Sequence, residues 1–105
     1  MEMGIAVIEY SADPARHDEV TRRLLEEVVT EARRTPGYRG WLTAELGDGK
    51  RRDIWLFESV EALQGMATLG QLAQQHIVPL TGDPDRMLSG RVMASDGILA
   101  AILTT

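Results

Sequence analysis

His76 is the side chain in this chain best placed to move a proton. Leu69, Leu72, Ala73, His76, Ile77 and Leu80 fall at helical spacing, so the imidazole sits within an apolar stripe. An imidazole there can accept or return a proton near neutral pH, or it can serve as a core histidine bonded to a backbone carbonyl. Tyr10 and Glu9 end a strand beside a helix start, where pocket rims form; Tyr10 can bond a substrate oxygen, and Glu9 is a base only if desolvated. Trp55 and Phe57 share a strand face, and with Met66 they can line a flat apolar pocket for a polycyclic aromatic or form the core of a small domain. Tyr38 and Leu72 are further substrate-contact candidates. His17 lies among charged residues and reads as solvated, as do the arginine runs at Arg22, Arg23, Arg33, Arg34, Arg51 and Arg52. Metal-ligand clusters, phosphate loops and serine triads leave no signature here.

The elements that must position these groups centre on residues 38–59. Two strand-like runs flank Asp48-Gly49, a dipeptide suited to a type I′ turn. Folding about that turn sets Glu45 opposite Arg52, Arg39 opposite Glu58, Gly40 opposite Phe57, Leu42 opposite Trp55 and Trp41 opposite Leu56. That register places Trp55 and Phe57 toward the helices and Trp41 on the other side. Residues 3–10 form a central strand with apolar residues on both faces. Asp13-Pro14 starts a helix that runs to about Arg34, with Val20, Leu24, Val28 and Ala32 as its apolar stripe, widened by Leu25 and Val29. Thr35-Pro36-Gly37 stops it. Ser59 caps a second helix to about Leu69, followed by a segment from Gln71 to Val78 that is stopped or kinked before Pro79. Residues 87–94 read as a strand, Ser95-Asp96-Gly97 as a turn, and residues 98–105 as a further, uncharged strand.

This order gives a single α+β domain over residues 1–105, a ferredoxin-like βαββαβ unit with an antiparallel sheet and an extra C-terminal strand. Two helices shelter one face of the sheet. The other face is also apolar, so a second copy of the chain is expected to cover it. The chain's 105 residues are 44% hydrophobic and 26% charged, as in ordinary folded proteins. The net charge of −5 argues against nucleic acid and anionic membrane as partners. There is no cysteine, hence no disulfide or thiol nucleophile. Neither a signal peptide nor a bilayer-spanning run is visible, so a cytoplasmic location is expected.

From Ile5 to about Leu80 the chain resembles the antibiotic-biosynthesis-monooxygenase-like family of dimeric α+β barrels. The resemblance lies in the strand–helix opening, in the run Thr35 to Trp41, and in the run Asp53 to Leu63, where Phe57 stands at a position often held by tryptophan. It implies a dimeric barrel and a place among cofactor-independent oxygenases, haem-degrading enzymes, quinol oxygenases or members of other roles. Met66 stands where many members carry histidine. His76 falls at the iron-binding histidine of the haem-degrading branch. That branch's tryptophan falls at Met66 and its asparagine at Glu9 or Tyr10, and this chain has no asparagine, which weighs against haem degradation while leaving simple haem binding open. The reading that follows is a cofactor-free monooxygenase acting on a phenolic, polyketide-like polycyclic substrate between sheet and helices. His76 would be the proton acceptor, and Tyr10 would hold the substrate oxygen. A cyclase or isomerase using the same pocket, and a non-catalytic dimeric ligand-binding accessory protein, are the alternatives.

Overall fold

A computed structural model describes residues 2–97. Strand β1 (Gly4–Ser11) leads through a 3-10 turn (Pro14–Arg16) into α1 (His17–Arg23), a π-helical stretch (Leu24–Val29) and a last helical turn, α2 (Thr30–Ala32). The hairpin β2 (Tyr38–Gly47) and β3 (Lys50–Phe57) follows. A 3-10 turn (Glu61–Gly65), α3 (Met66–His76), α4 (Val78–Thr81) and β4 (Arg86–Arg91) complete the described chain. The sheet order is β2-β3-β1-β4 and every pairing is antiparallel. This is the ferredoxin-like α+β arrangement expected. The further strand expected at 98–105 lies outside the described residues.

The helix starts as its sequence requires. Asp13 accepts a hydrogen bond from the Ala15 backbone N–H at 2.9 Å, and Pro14 occupies the first turn. Val20, Leu24, Val28 and Ala32 are all buried, as is Val29, whereas Leu25 is exposed. A strict four-residue spacing drifts around an α-helix of about 3.6 residues per turn. The wider π-helical turns at Leu24–Val29 take that drift back and keep the stripe on the sheet.

The second helical region differs from expectation. Ser59 Oγ caps it by accepting from the Ala62 N–H at 3.1 Å. The helix α3 then passes unbroken through Gly70 and breaks at Ile77, whereas a break near Leu69 was expected. Pro79 sits in the first turn of α4, where its missing N–H leaves nothing unpaired. Gly65 is required by close approach: a Cβ there would lie 2.5 Å from Thr35 Cγ2.

The hairpin turn is as expected, with positive φ at Asp48 (52°) and Gly49 (76°). The register is not. A bulge between Glu45 and Gly47 lets Leu46 stand out of the ladder, and every pair beyond it moves by one residue. Glu45 therefore faces Arg51, Thr43 faces Asp53, Trp41 faces Trp55 and Leu42 faces Ile54. A second irregularity between Tyr38 and Gly40 moves the register by one residue more, setting Tyr38 opposite Phe57, while the Arg39 and Glu58 side chains still meet as an ion pair at 3.1 Å. Trp41 consequently lies on the helix side, its ring centroid 5.8 Å from that of Trp55, and not on the far side.

The core sits between the helices and the sheet face that carries Ala6, Tyr10, Trp55 and Phe57. On the far face Ile5, Val7 and Ile54 are half-buried, while Leu42 and Leu88 are each 46% exposed.

Candidate functional site

The helix-facing side of β1 and β3 alternates Ala6, Ile8 and Tyr10 with Trp55, Asp53 and Arg51, because those residues pair directly across the ladder. Leu24 and Val28 come down from the π-helical stretch. Leu63, Met66, Leu69 and Ala73 come from the second helical region, and Ile77 and Thr81 from its end. Between them lies a cavity of about 630 Å³, closed on one side by Met87 and Ser89 of β4. That volume falls within the range of small-molecule sites. The walls are apolar, and the buried polar groups among them are Tyr10, Asp53 and the indole N–H of Trp55.

Tyr10 and Asp53 belong to a hydrogen-bonded cluster. The Tyr10 hydroxyl donates to Asp53 at 2.9 Å (Oδ1) and 3.0 Å (Oδ2), and Thr43 Oγ1 donates to Asp53 Oδ1 at 2.6 Å. Arg51 donates through Nε to the Tyr10 oxygen at 3.0 Å and through Nη2 to Thr43 at 2.7 Å. It also donates to Thr21 Oγ1 at 3.0 Å and to the His17 carbonyl at 3.1 Å, and its Nη1 lies 3.3 Å from His17 Nδ1. A guanidinium cannot accept, so His17 Nδ1 must, which places that ring's proton on Nε2. Arg51 and Asp53 are each 3% exposed and His17 is 8% exposed. The expectation that His17 and Arg51 are solvated is therefore corrected: Arg51 shares the inward face of β3 with Asp53 and Trp55, and its fork holds His17 in the wall.

Burial raises the Asp53 carboxyl above its ordinary value, opposed by the donors from Thr43 and Tyr10 and by the charge of Arg51. Burial likewise raises the Tyr10 phenol far above its usual range, with the Asp53 charge adding to the effect. The site thus holds a carboxylate with enhanced proton affinity beside a phenol that keeps its proton.

Of the residues singled out from sequence, Tyr10, Trp55 and Met66 line the cavity. Phe57 is fully buried behind it, and Tyr38 and Leu72 pack against the same core, Tyr38 with its ring 6.0 Å from Phe57 and 6.4 Å from Trp55. His76 is not among the lining residues. Its Nε2 lies 3.7 Å from Glu27, and its side chain is partly exposed. Sequence reasoning missed Asp53, Thr43 and Arg51. One signal was available: an aspartate between Arg52 and Ile54 in a strand is a charge on a position that should alternate inward.

Neither a family model nor a curated protein sequence matches the chain. Solved structures match its fold. One, from Chloroflexus aurantiacus J-10-fl and provisionally assigned as an antibiotic biosynthesis monooxygenase, is 17% identical with a TM-score of 0.66, over 91% of this chain and 98% of that one. SnoaB, a cofactor-independent oxygenase from Streptomyces nogalater, is 15% identical with a TM-score of 0.62, over 93% and 98% of the two chains. The NE2512 protein of unknown function from Nitrosomonas europaea is 13% identical with a TM-score of 0.70, over 90% and 92%. The chain thus has the fold of the antibiotic biosynthesis monooxygenase structures, and at these identities the likeness concerns fold alone. Among the described residues, no helix is long and apolar enough to cross a membrane.

Proposed function

We propose that this chain is a cofactor-independent monooxygenase acting on a phenolic, polyketide-like polycyclic aromatic within the cavity. The observation that carries the reading is the pairing of an apolar cavity of about 630 Å³ with one buried carboxylate, Asp53, whose proton affinity is raised. The fold shared with SnoaB adds support. Asp53, rather than His76, takes the role of proton acceptor, because it reaches the cavity and His76 does not. Tyr10, its proton committed to Asp53, orients the carboxylate rather than holding the substrate oxygen, while Trp55 and Met66 hold the ring system.

For a phenolic substrate with a methylene carbon between its aromatic rings, Asp53 removes the phenolic proton, returned at the end of the reaction, and leaves an electron-rich anion whose charge reaches that carbon. Molecular oxygen oxidises that carbon. One oxygen atom becomes the carbonyl, and the other leaves as water with the two methylene hydrogens. The protein contributes a dry site, orientation and the base. The acting unit in this reading is a homodimer, with the second copy covering Ile5, Val7, Leu42, Ile54 and Leu88.

Oxygen uptake with a hydroxylated anthrone, without added cofactor, tests the reading. One oxygen consumed per substrate, and a loss of about 100-fold or more in Asp53→Asn, is the expected result. Absence of uptake by the unsubstituted protein, or uptake indifferent to Asp53→Asn, would refute it. The same base also suits a cyclase or isomerase, which would consume substrate without oxygen. Binding without any turnover would mark an accessory protein.

A further inference from the structure

Asp53 and Tyr10 face the cavity, but the cation behind them does not. Arg51 is absent from the lining, and each N–H of its fork is already engaged: by the Tyr10 oxygen, by Thr43 and Thr21, and by the carbonyl and Nδ1 of His17. This arrangement fixes the direction of both hydroxyl protons. Because the guanidinium only donates, the Tyr10 and Thr43 oxygens accept from it and turn their own protons onto Asp53. Neither hydroxyl has a proton left for a ligand. Thr43 gives its proton to Oδ1 at 2.6 Å, and the single Tyr10 proton is shared between Oδ1 and Oδ2 at 2.9 and 3.0 Å, so Oδ2 keeps lone pairs for the cavity.

Among the other polar groups of the lining, the neutral indole N–H of Trp55 is the one donor at this depth. Thr81 Oγ1 lies at hydrogen-bond distance from the Ile77 and Gly82 carbonyls and can give its one proton only there. Gln71, Gln74 and Ser89 are exposed at the mouth. The deep end of the cavity is therefore a carboxylate acceptor with no charged or hydroxyl donor free beside it, only the neutral Trp55 indole N–H. A buried acceptor left unpaired is costly, and a second anion against it is more so. A ligand is sorted by what its leading edge carries.

We infer that Asp53 makes the cavity selective for neutral aromatic ligands that lead with a hydrogen-bond donor, a hydroxyl above all, and that it excludes carboxylates and ether-capped analogues of the same shape. This deepens the proposed function, on which it rests for the cavity being a ligand site. It specifies the polarity of the inward edge of the ligand.

A matched ligand series tests it by isothermal titration calorimetry at pH 7. The probes are 2-naphthol, 2-methoxynaphthalene and 2-naphthoate, which share one ring system and differ at the leading group. Binding of 2-naphthol about tenfold or more tighter than either analogue is expected, since a site built to bond a hydroxyl discriminates strongly against its absence. In Asp53→Asn the amide introduces a donor and removes the charge, so the preference over 2-naphthoate should fall about tenfold. Equal affinity for 2-naphthol and 2-naphthoate in the unsubstituted protein overturns the inference, as does no binding by any of the three. So does an unchanged preference in folded Asp53→Asn. The unsubstituted series stands alone if that variant does not fold. Oxygen uptake is read separately. The expected ranking without uptake supports the selectivity and counts against the oxygenase; uptake with a flat ranking does the reverse.

Discussion

Arg51 and Asp53 stand two residues apart on one face of β3 and are joined through two hydroxyls, those of Tyr10 and Thr43, rather than by direct contact. Opposite charges buried in this way compensate one another while leaving a carboxylate oxygen toward the cavity. Breaking such a buried arrangement by removing one member leaves the others unsatisfied.

Tyr10→Phe follows most directly from that arrangement. The change keeps the ring and deletes the oxygen that accepts from Arg51 and donates to Asp53. Two buried groups lose a partner, so a loss of about 1–3 kcal/mol is expected, read as a lower urea midpoint with an unchanged slope. A midpoint equal to that of the unsubstituted protein would show that the hydroxyl bridge carries no stability.

Stability should fall on the alkaline side. Tyr10 and Tyr38 both have phenols raised above the ordinary 10.0, chiefly by burial. A group with a raised value in the folded state gives stability that is fully present below its unfolded value and is lost as pH rises through the folded one. Unfolding free energy should therefore hold up to about pH 10 and decline beyond it. Tyr10→Phe should show a shallower decline. Urea melts between pH 8 and 11.5, with tyrosinate absorbance followed in parallel, read both.

Asp53 gives the acid side by the same reasoning. Its carboxyl is raised by burial above 3.8, so the folded state holds that proton more tightly than the unfolded chain does. Its contribution is greatest below the unfolded value and shrinks as pH rises through the folded one. The stability of the unsubstituted protein relative to Asp53→Asn should thus decrease from pH 3 upward and then level off. A difference that grows with pH in this window would mean that the donors from Thr43, Tyr10 and Arg51 outweigh burial.

The strand order and helix placement were legible because turn residues and apolar spacing carry them: Asp48-Gly49, Asp13-Pro14, and the stripe from Val20 to Ala32. The site was less so, for one local reason. Leu46 is an apolar residue next to a glycine, and nothing in its type announces that it leaves the ladder. That single bulge moved Trp41 and Thr43 to the helix side, where they meet Arg51 and Asp53, which alternation along β3 already set on the face of Trp55 and Phe57. His76 sits in an apolar stripe as read. Leu69, Ala73 and Ile77 of that stripe reach the cavity, but His76 at its edge turns to Glu27 of the π-helical stretch, and helical spacing alone cannot say which neighbour each member meets.

Substitutions at the two proton-acceptor candidates separate these placements. His76 touches no cavity wall, so His76→Ala should leave turnover within about twofold, whereas Asp53→Asn should lower it by about 100-fold or more. Both are read as oxygen consumed per second at saturating substrate. A large loss in His76→Ala with normal folding would return the base to the helix and remove Asp53 from the role.

The far face of the sheet offers the last test. Leu42 and Leu88 are each 46% exposed and flank Ile54 and Val7 on adjacent strands, so the face presents continuous apolar surface. Surface of that kind on a small domain marks an interface. In the proposed homodimer, Leu42→Asp with Leu88→Asp sets charges against the partner sheet. The double variant should run as a monomer by light scattering at micromolar concentration, where the unsubstituted chain runs as a dimer. Both side chains are already half in water, so a monomeric double variant should keep its helical circular dichroism. An unsubstituted chain that is itself monomeric under these conditions would remove the second copy from the proposal.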